Sequence, residues 1–232
     1  MSLNRRPPAG NTRRVAAIGH NLRGVMTNKA GRLVQFESFL ERVLLLRLDR
    51  DRTVKDFGSQ PETFRFSDEH GKQRAYTPDF IVWRDNESVE IHEVTLASRR
   101  ARPTSCLREA AAVTVCQQRG WRYVVHTERD LPCGTEVANL LALFHYRPVA
   151  YADTAVIQAA LTCLADVQPV PLEQIIFQLT TEWRLLQSSV VSTLYHLLWR
   201  GRLEADLHQP LFVRGVPDTS VTLWLAPKEA TQ

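Results

Sequence analysis

The feature that most constrains the fold is a series of strand-type segments, separated by tight turns, that a single helix-length segment interrupts before the last strand. Val54–Phe57 runs into a Gly-Ser-Gln-Pro turn. In Thr63–Phe66 the apolar Phe64 and Phe66 alternate with Thr63 and Arg65, the period of a half-buried strand. His70-Gly71 is a hairpin-type turn into a strand over Arg74–Trp83, and Arg84-Asp85-Asn86-Glu87 turns that strand into Val89–Leu96. A helix over Ser105–Arg119 stops at Gly120, and Trp121–His126, rich in valine and aromatics, reads as a further strand. An antiparallel set followed by a crossover helix into another strand gives a mixed sheet with helices on it, an α/β architecture.

An amphipathic helix is expected ahead of this set, because Phe36, Phe39, Leu40, Val43, Leu44 and Leu48 recur at three-to-four spacing, with Glu41 beside the stripe. A second helix, Thr135–Phe144, would close the domain, and Pro148 ends it. The texture then changes. Helices are expected over Thr154–Leu164, over Leu172–Leu179 behind Pro169-Val170-Pro171, and over Trp183–Trp199. Leu211–Val213 and Val221–Leu225 follow around a Pro-Asp turn. Three short helices and a two-stranded hairpin describe a winged helix-turn-helix. The expected organisation is a basic N-terminal arm (1–33), an α/β domain (34–148) and a winged-helix-like domain (149–232).

At 232 residues and 44% hydrophobic, the chain can bury two unequal cores. It has no apolar run of about eighteen residues, and its Arg-rich start lacks a secretory h-region, so a soluble cytoplasmic protein with no membrane partner is expected. Cys106, Cys116, Cys133 and Cys163 form no Cys-x-x-Cys pair and are read as reduced thiols. The net charge of +4 is unevenly spread. From Met1 to Val34 the chain carries Arg5, Arg6, Arg13, Arg14, Arg23, Lys29 and Arg32 and no acidic residue. Such an arm is either the footprint of a polyanionic partner such as DNA or a solvated tail.

The sharpest candidate for chemistry is Tyr76-Thr77-Pro78-Asp79-Phe80, followed by Glu93 on the next strand. Two strands joined by a turn can bring these carboxylates together. A like-charge pair inside a sheet is costly unless a cation neutralises it, and Mg²⁺ or Mn²⁺ is the natural resident. Phosphodiester hydrolysis needs what such an ion supplies: neutralised phosphate charge and an activated water. The plainer alternative is two solvated strand ends, each salt-bridged locally. Arg99, Arg100 and Arg102 follow closely and are candidates for clamping DNA phosphates, or are solvated loop charges. Gln60, before Pro61, points into the cleft or caps a turn. His92 lies on the face opposite Glu93 by strand alternation and reads as a core or surface histidine.

Phe36–Glu41, Ser59-Gln60-Pro61, Tyr76–Phe80, Glu93-Val94 and Tyr123–Glu128, in this order, resemble the TnsA endonuclease subunit of heteromeric bacterial transposases, a branch of the restriction-endonuclease-like superfamily. The resemblance covers roughly residues 34–130. It implies a restriction-endonuclease-like mixed sheet flanked by helices, and a metal-dependent endonuclease that nicks the 5′ strand at transposon ends. By motif position Glu41, Asp79 and Glu93 are the implied catalytic and metal-binding residues. The family's Glu-x-Lys pattern would put lysine where this chain has Thr95. Three explanations stand: a cation comes from elsewhere, with Lys72 or Arg99 as candidates; a second metal makes lysine dispensable; or the site is degenerate and kept for binding. Implied partners are DNA, an integrase-type transposase and, through the C-terminal domain, an AAA+ ATPase regulator. In that domain Arg184, Gln187, Ser188, Ser189, Thr193 and His196 are candidates to face DNA. A defence or repair nuclease of the same fold, and a winged-helix transcription regulator, are the other classes considered.

Overall fold

The strand-and-turn pattern folds as a central mixed sheet. The computed structural model of the chain describes residues 22–227 apart from Glu69 and Val167. The calls on Arg13 and Arg14 therefore lie outside the described residues. Packing divides the chain into two units. Among the described residues, one holds those up to Asp49 together with Thr53–Leu131; the other holds Arg50–Arg52 and those from Pro132.

The first unit opens with a hairpin, β1 (Gly24–Thr27) and β2 (Leu33–Phe36), paired from Gly24↔Phe36 to Thr27↔Leu33. Its turn is fixed by Asn28, whose Oδ1 accepts the Arg32 N–H at 2.8 Å, and by Gly31 at φ 76°. The described end of the expected basic arm is thus built structure, and two of its charges are engaged locally: Lys29 Nζ donates to the Val54 carbonyl at 2.6 Å and Arg32 pairs with Asp56.

Helix α1 spans Phe39–Arg50 and starts three residues later than the apolar spacing suggested, because Phe36 belongs to β2. Ser38 sets the start. Its Oγ accepts the Glu41 N–H at 3.1 Å and donates to Glu41 Oε1 at 2.9 Å, while Glu41 Oε2 accepts the Glu37 N–H at 2.7 Å. This is a variant of the capping box, with Glu41 reaching the Glu37 N–H rather than that of Ser38, legible as Ser-x-x-Glu.

β3 (Val54–Ser59), β6 (Phe80–Arg84), β7 (Val89–Val94) and β8 (Arg122–His126) form the sheet in the order β3-β6-β7-β8. The first three are antiparallel; β8 joins β7 in parallel after the crossover helix α3 (Pro103–Gln118), as the sequence pattern required. The short helix α2 (Ala97–Arg100) precedes α3. Between β3 and β6 lies a separate hairpin, β4 (Phe64–Ser67) and β5 (Gln73–Tyr76), turning through Gly71 at φ 74°. The single strand expected over Arg74–Trp83 is therefore two. Pro78 has no N–H for a ladder, so β5 pairs with β4 while β6 pairs with β3. The hairpin covers the sheet face that carries Ile81 and Ile91, burying Phe64 and Tyr76 with Ala112 and Cys116 of α3.

In the second unit α4 (Gly134–Leu143) packs on α7 (Gln187–Trp199), although the sequence reading had assigned its segment to the first domain. The element order from there is α5 (Thr154–Asp166), β9 (Val170–Pro171), α6 (Leu172–Thr181), α7, β10 (Leu203–Glu204), the hairpin β11 (Phe212–Val213) and β12 (Val216–Pro217), and β13 (Thr222–Leu225). The three strands β10-β13-β9 form one small antiparallel sheet. α7 is shorter than the expected Trp183–Trp199 because Arg184 sits at φ 54° and breaks the helical run. Val156, Leu164, Ile175, Leu194, Leu198 and Trp199 are among the buried side chains of this core. All four cysteines are free thiols, and no helix among the described residues is long and apolar enough to cross a membrane.

Candidate active site

Asp79 directly precedes β6, behind the proline that ends the β5 register. Its backbone carbonyl accepts the Gln60 N–H at 2.7 Å, and its Oδ2 accepts the Val94 N–H at 2.8 Å. The side chain is thereby held against the end of β7, where Glu93 shares a face with Ile91 and points toward the hairpin and α3. The two carboxyl groups are near enough to act on each other. Tyr76 Oη donates to Glu93 Oε2 and lies 3.0 Å from Tyr123 Oη, so Tyr123 is the donor to Tyr76.

The electrostatics follow from this crowding. Burial, then the charges of Glu93 and Glu41, push the Asp79 carboxyl well above the usual carboxylate range. Burial pushes Glu93 up to about 7, opposed by the Tyr76 hydrogen bond and by the charge of Arg108. Burial also raises the Tyr76 and Tyr123 phenols, so both remain donors at neutral pH. Two acids forced together hold a proton between them near neutrality.

The pair lines an open cleft of about 530 Å³, bounded by Phe66, Tyr76 and Thr77 on the hairpin side and by Thr104, Leu107 and Arg108 on α3. A smaller adjoining lobe contains Thr95, Arg100, Arg108 and Tyr123, and shares Tyr76 and Glu93 with the main cleft.

Of the residues singled out from the sequence, Asp79 and Glu93 meet directly. Glu41 is close enough for its charge to act on Asp79, but its carboxylate also caps the start of α1. Among the described residues, no three His, Cys, Asp or Glu side chains are arranged to hold a metal ion. Gln60 lies at φ 46° and donates through Nε2 to Glu37 Oε1 at 3.1 Å, tying the end of β3 to the capping segment. Thr95 donates its N–H to the His126 carbonyl at 2.9 Å. Lys72 sits at the tip of the β4–β5 hairpin, outside both lobes. Arg100 is spent on Glu109, with contacts of 3.0 and 2.5 Å, while Arg99 and Arg102 are exposed.

Sequence reading missed Tyr76 as the partner of Glu93, and it missed Arg108. The second was visible in part: Thr104, Leu107 and Arg108 fall at i, i+3 and i+4, one face of the helix expected there. His92, read as a core or surface histidine, is a core one: it is buried, and its Nε2 lies 2.9 Å from Glu90.

Fold and cleft together define a class: a mixed α/β domain whose carboxylate pair sits where two sheet strands meet a covering hairpin. Residues 51–128 match the family model described as TnsA-like endonuclease N terminal, which supports a TnsA-like endonuclease and bears out the resemblance read from Tyr76–Phe80 and Glu93. The match contains Asp79, Glu93 and Arg108, stops short of Glu41, and of the second unit takes in only Asp51 and Arg52. No curated protein matches the chain.

Proposed function

We propose that this chain is a metal-dependent DNA endonuclease subunit of a heteromeric transposase, nicking the 5′ strand at transposon ends beside an integrase-type partner. The observation that carries this reading is the Asp79–Glu93 carboxyl pair lining an open cleft inside the segment that matches TnsA-like endonucleases.

The donor set fits a hard divalent cation. It is all oxygen, and its two acids keep a proton between them, a position that Mg²⁺ or Mn²⁺ competes for. Asp79 and Glu93 would hold the ion, with Glu41 as third carboxylate once it leaves its capping position. When bound, the ion supplies charge neutralisation and a more acidic water. In the hydrolysis a water oxygen bonds to phosphorus and one P–O ester bond breaks; the water gives up a proton and the departing alkoxide gains one. Solvent takes the water's proton and supplies the alkoxide's, while Tyr76 holds one Glu93 carboxylate oxygen in place and leaves the other for the ion. Asp79 is fixed by the Val94 N–H, so its other oxygen keeps one direction.

For the second unit we propose a winged-helix-like module, supported by its order of helix, strand, two helices, strand, hairpin and strand. Two of its six candidate DNA-facing residues are unsuited to that role: Thr193 Oγ1 bonds the Tyr151 carbonyl at 2.7 Å and His196 Nδ1 the Tyr146 carbonyl at 2.8 Å, both buried. Gln187 and Ser188 are exposed on the first turn of α7. Docking to an AAA+ regulator is the role we assign to this unit.

A second reading, a degenerate site retained for DNA binding and assembly, is favoured by one observation: Thr95 lines the smaller lobe with a hydroxyl where an ammonium group would neutralise phosphate. Nicking of supercoiled plasmid carrying element ends, with Mg²⁺ or Mn²⁺ and with the neighbouring transposase, tests the two. Nicking that Asp79→Ala abolishes supports the nuclease. A parent that never nicks, with activity gained in Thr95→Lys, supports the degenerate site.

A further inference from the structure

We propose that Arg108 of α3 is the residue that grips the DNA phosphate seated beside Asp79 and Glu93; this rests on the nuclease reading above. A cleft lined by two acids repels a polyanion, so a cation must face the phosphate from the opposite wall. The arginines around the cleft divide by what they already hold. Arg74 is paired with Asp68 at 2.8 Å and Arg100 with Glu109. Arg108 has no ion pair among the described residues and is exposed, so its donors remain available. It also lines both the main cleft and the lobe that contains Thr95, and its charge is felt by Glu93.

The support is rigid as well as well placed. α3 runs for 16 residues and buries Ala112 and Cys116 against the sheet, one turn or more beyond Arg108, so the guanidinium projects from a packed element. Its planar fork of donors matches two phosphate oxygens at once. During hydrolysis the charge on those non-bridging oxygens changes as the water oxygen bonds to phosphorus and the ester bond breaks. Arg108 transfers nothing. It thus stands in the place a lysine at position 95 would serve, reached from the helix rather than from the strand.

Single-turnover nicking and DNA affinity in Ca²⁺ across a range of salt, measured on the full chain and on Arg108→Ala and Arg108→Lys, test this. Arg108→Ala is expected to slow nicking about a hundredfold and to lower the salt slope of binding by about one. Arg108→Lys should restore the slope but only part of the rate, because lysine cannot bind two oxygens as a fork. Arg108→Ala with parental rate and slope, while Asp79→Ala abolishes nicking, would overturn the assignment and leave the nuclease standing. If the parent nicks neither alone nor with its neighbouring transposase, the nuclease reading fails. The slope then decides: a loss in Arg108→Ala keeps the phosphate grip, and an unchanged slope sinks it.

Discussion

Glu93 is kept in surroundings that penalise its charge, and that has a measurable consequence for stability. Its carboxyl titrates at about 7 in the folded chain against an ordinary 4.5. A raised carboxyl stabilises the fold fully only below its unfolded value, and the contribution is lost as pH rises through 7. Replacing Glu93 with Gln, which can still accept from Tyr76, should therefore raise thermal stability at pH 8, by about 1–3 kcal/mol, and change little at pH 4.5. Melting curves at the two pH values check this; destabilisation at pH 8 would mean that the charge is better solvated than the geometry implies. The same residue shows what sequence reading can and cannot reach. Asp79 and Glu93 were legible because the turn at Arg84–Glu87 folds their two strands back on each other. Tyr76 was not, and Arg108 only in part: their roles depend on a hairpin folding over the sheet and on which face of α3 meets the cleft, neither of which is local.

At the scale of elements, the mixed sheet was legible because turn chemistry and crossover length decide pairing direction. Its interruption at Thr77–Asp79 was not, because the apolar alternation continues through the break and only the missing Pro78 N–H reveals it. Likewise α1 begins at its capping box rather than at its first apolar residue. Ser38→Ala should cost about 1 kcal/mol in denaturant unfolding while leaving the far end of the helix intact.

β7 and β8 also share a polar chain on the face away from the cleft. Glu90 contacts Arg84 at 2.9 Å and Arg122 at 2.5 Å, His92 Nε2 donates to Glu90, and His126 Nε2 donates to His92 Nδ1 at 2.9 Å. Both histidines are satisfied while neutral. The hydrogen bond from His92, helped by Arg84, holds Glu90 down at about 2, and burial lowers His126 to about 4. The unfolded chain therefore binds the His126 proton first, and stability falls as pH drops from about 6.5 to 4. His126→Gln, which keeps a donor for His92, should move the acid-unfolding midpoint down by roughly half a pH unit. An unchanged midpoint would place the acid sensitivity elsewhere. In the second unit Asn139 is buried and bonds the Leu207 and Gln209 carbonyls and the Leu211 N–H, pinning the chain before β11 to α4. Asn139→Ala should cost roughly 2–3 kcal/mol, read as a lower denaturation midpoint.

For the molecule as a whole, one unit carries the acids and the other a compact helical core, and the basic sequence of residues 1–21 adds Arg5, Arg6, Arg13 and Arg14. If Arg13 and Arg14 contact DNA, replacing both with Ala should lower the salt slope of binding by about two without altering the dependence on metal. The central claim is that Asp79 and Glu93 exchange a shared proton for a divalent cation. Calorimetric titration of Mn²⁺ at pH 7, in two buffers of different ionisation enthalpy, tests it most directly. The account predicts binding with release of about one proton, lost in Asp79→Asn and in Glu93→Gln. Mn²⁺ binding that survives both substitutions, or that releases no proton, would contradict it.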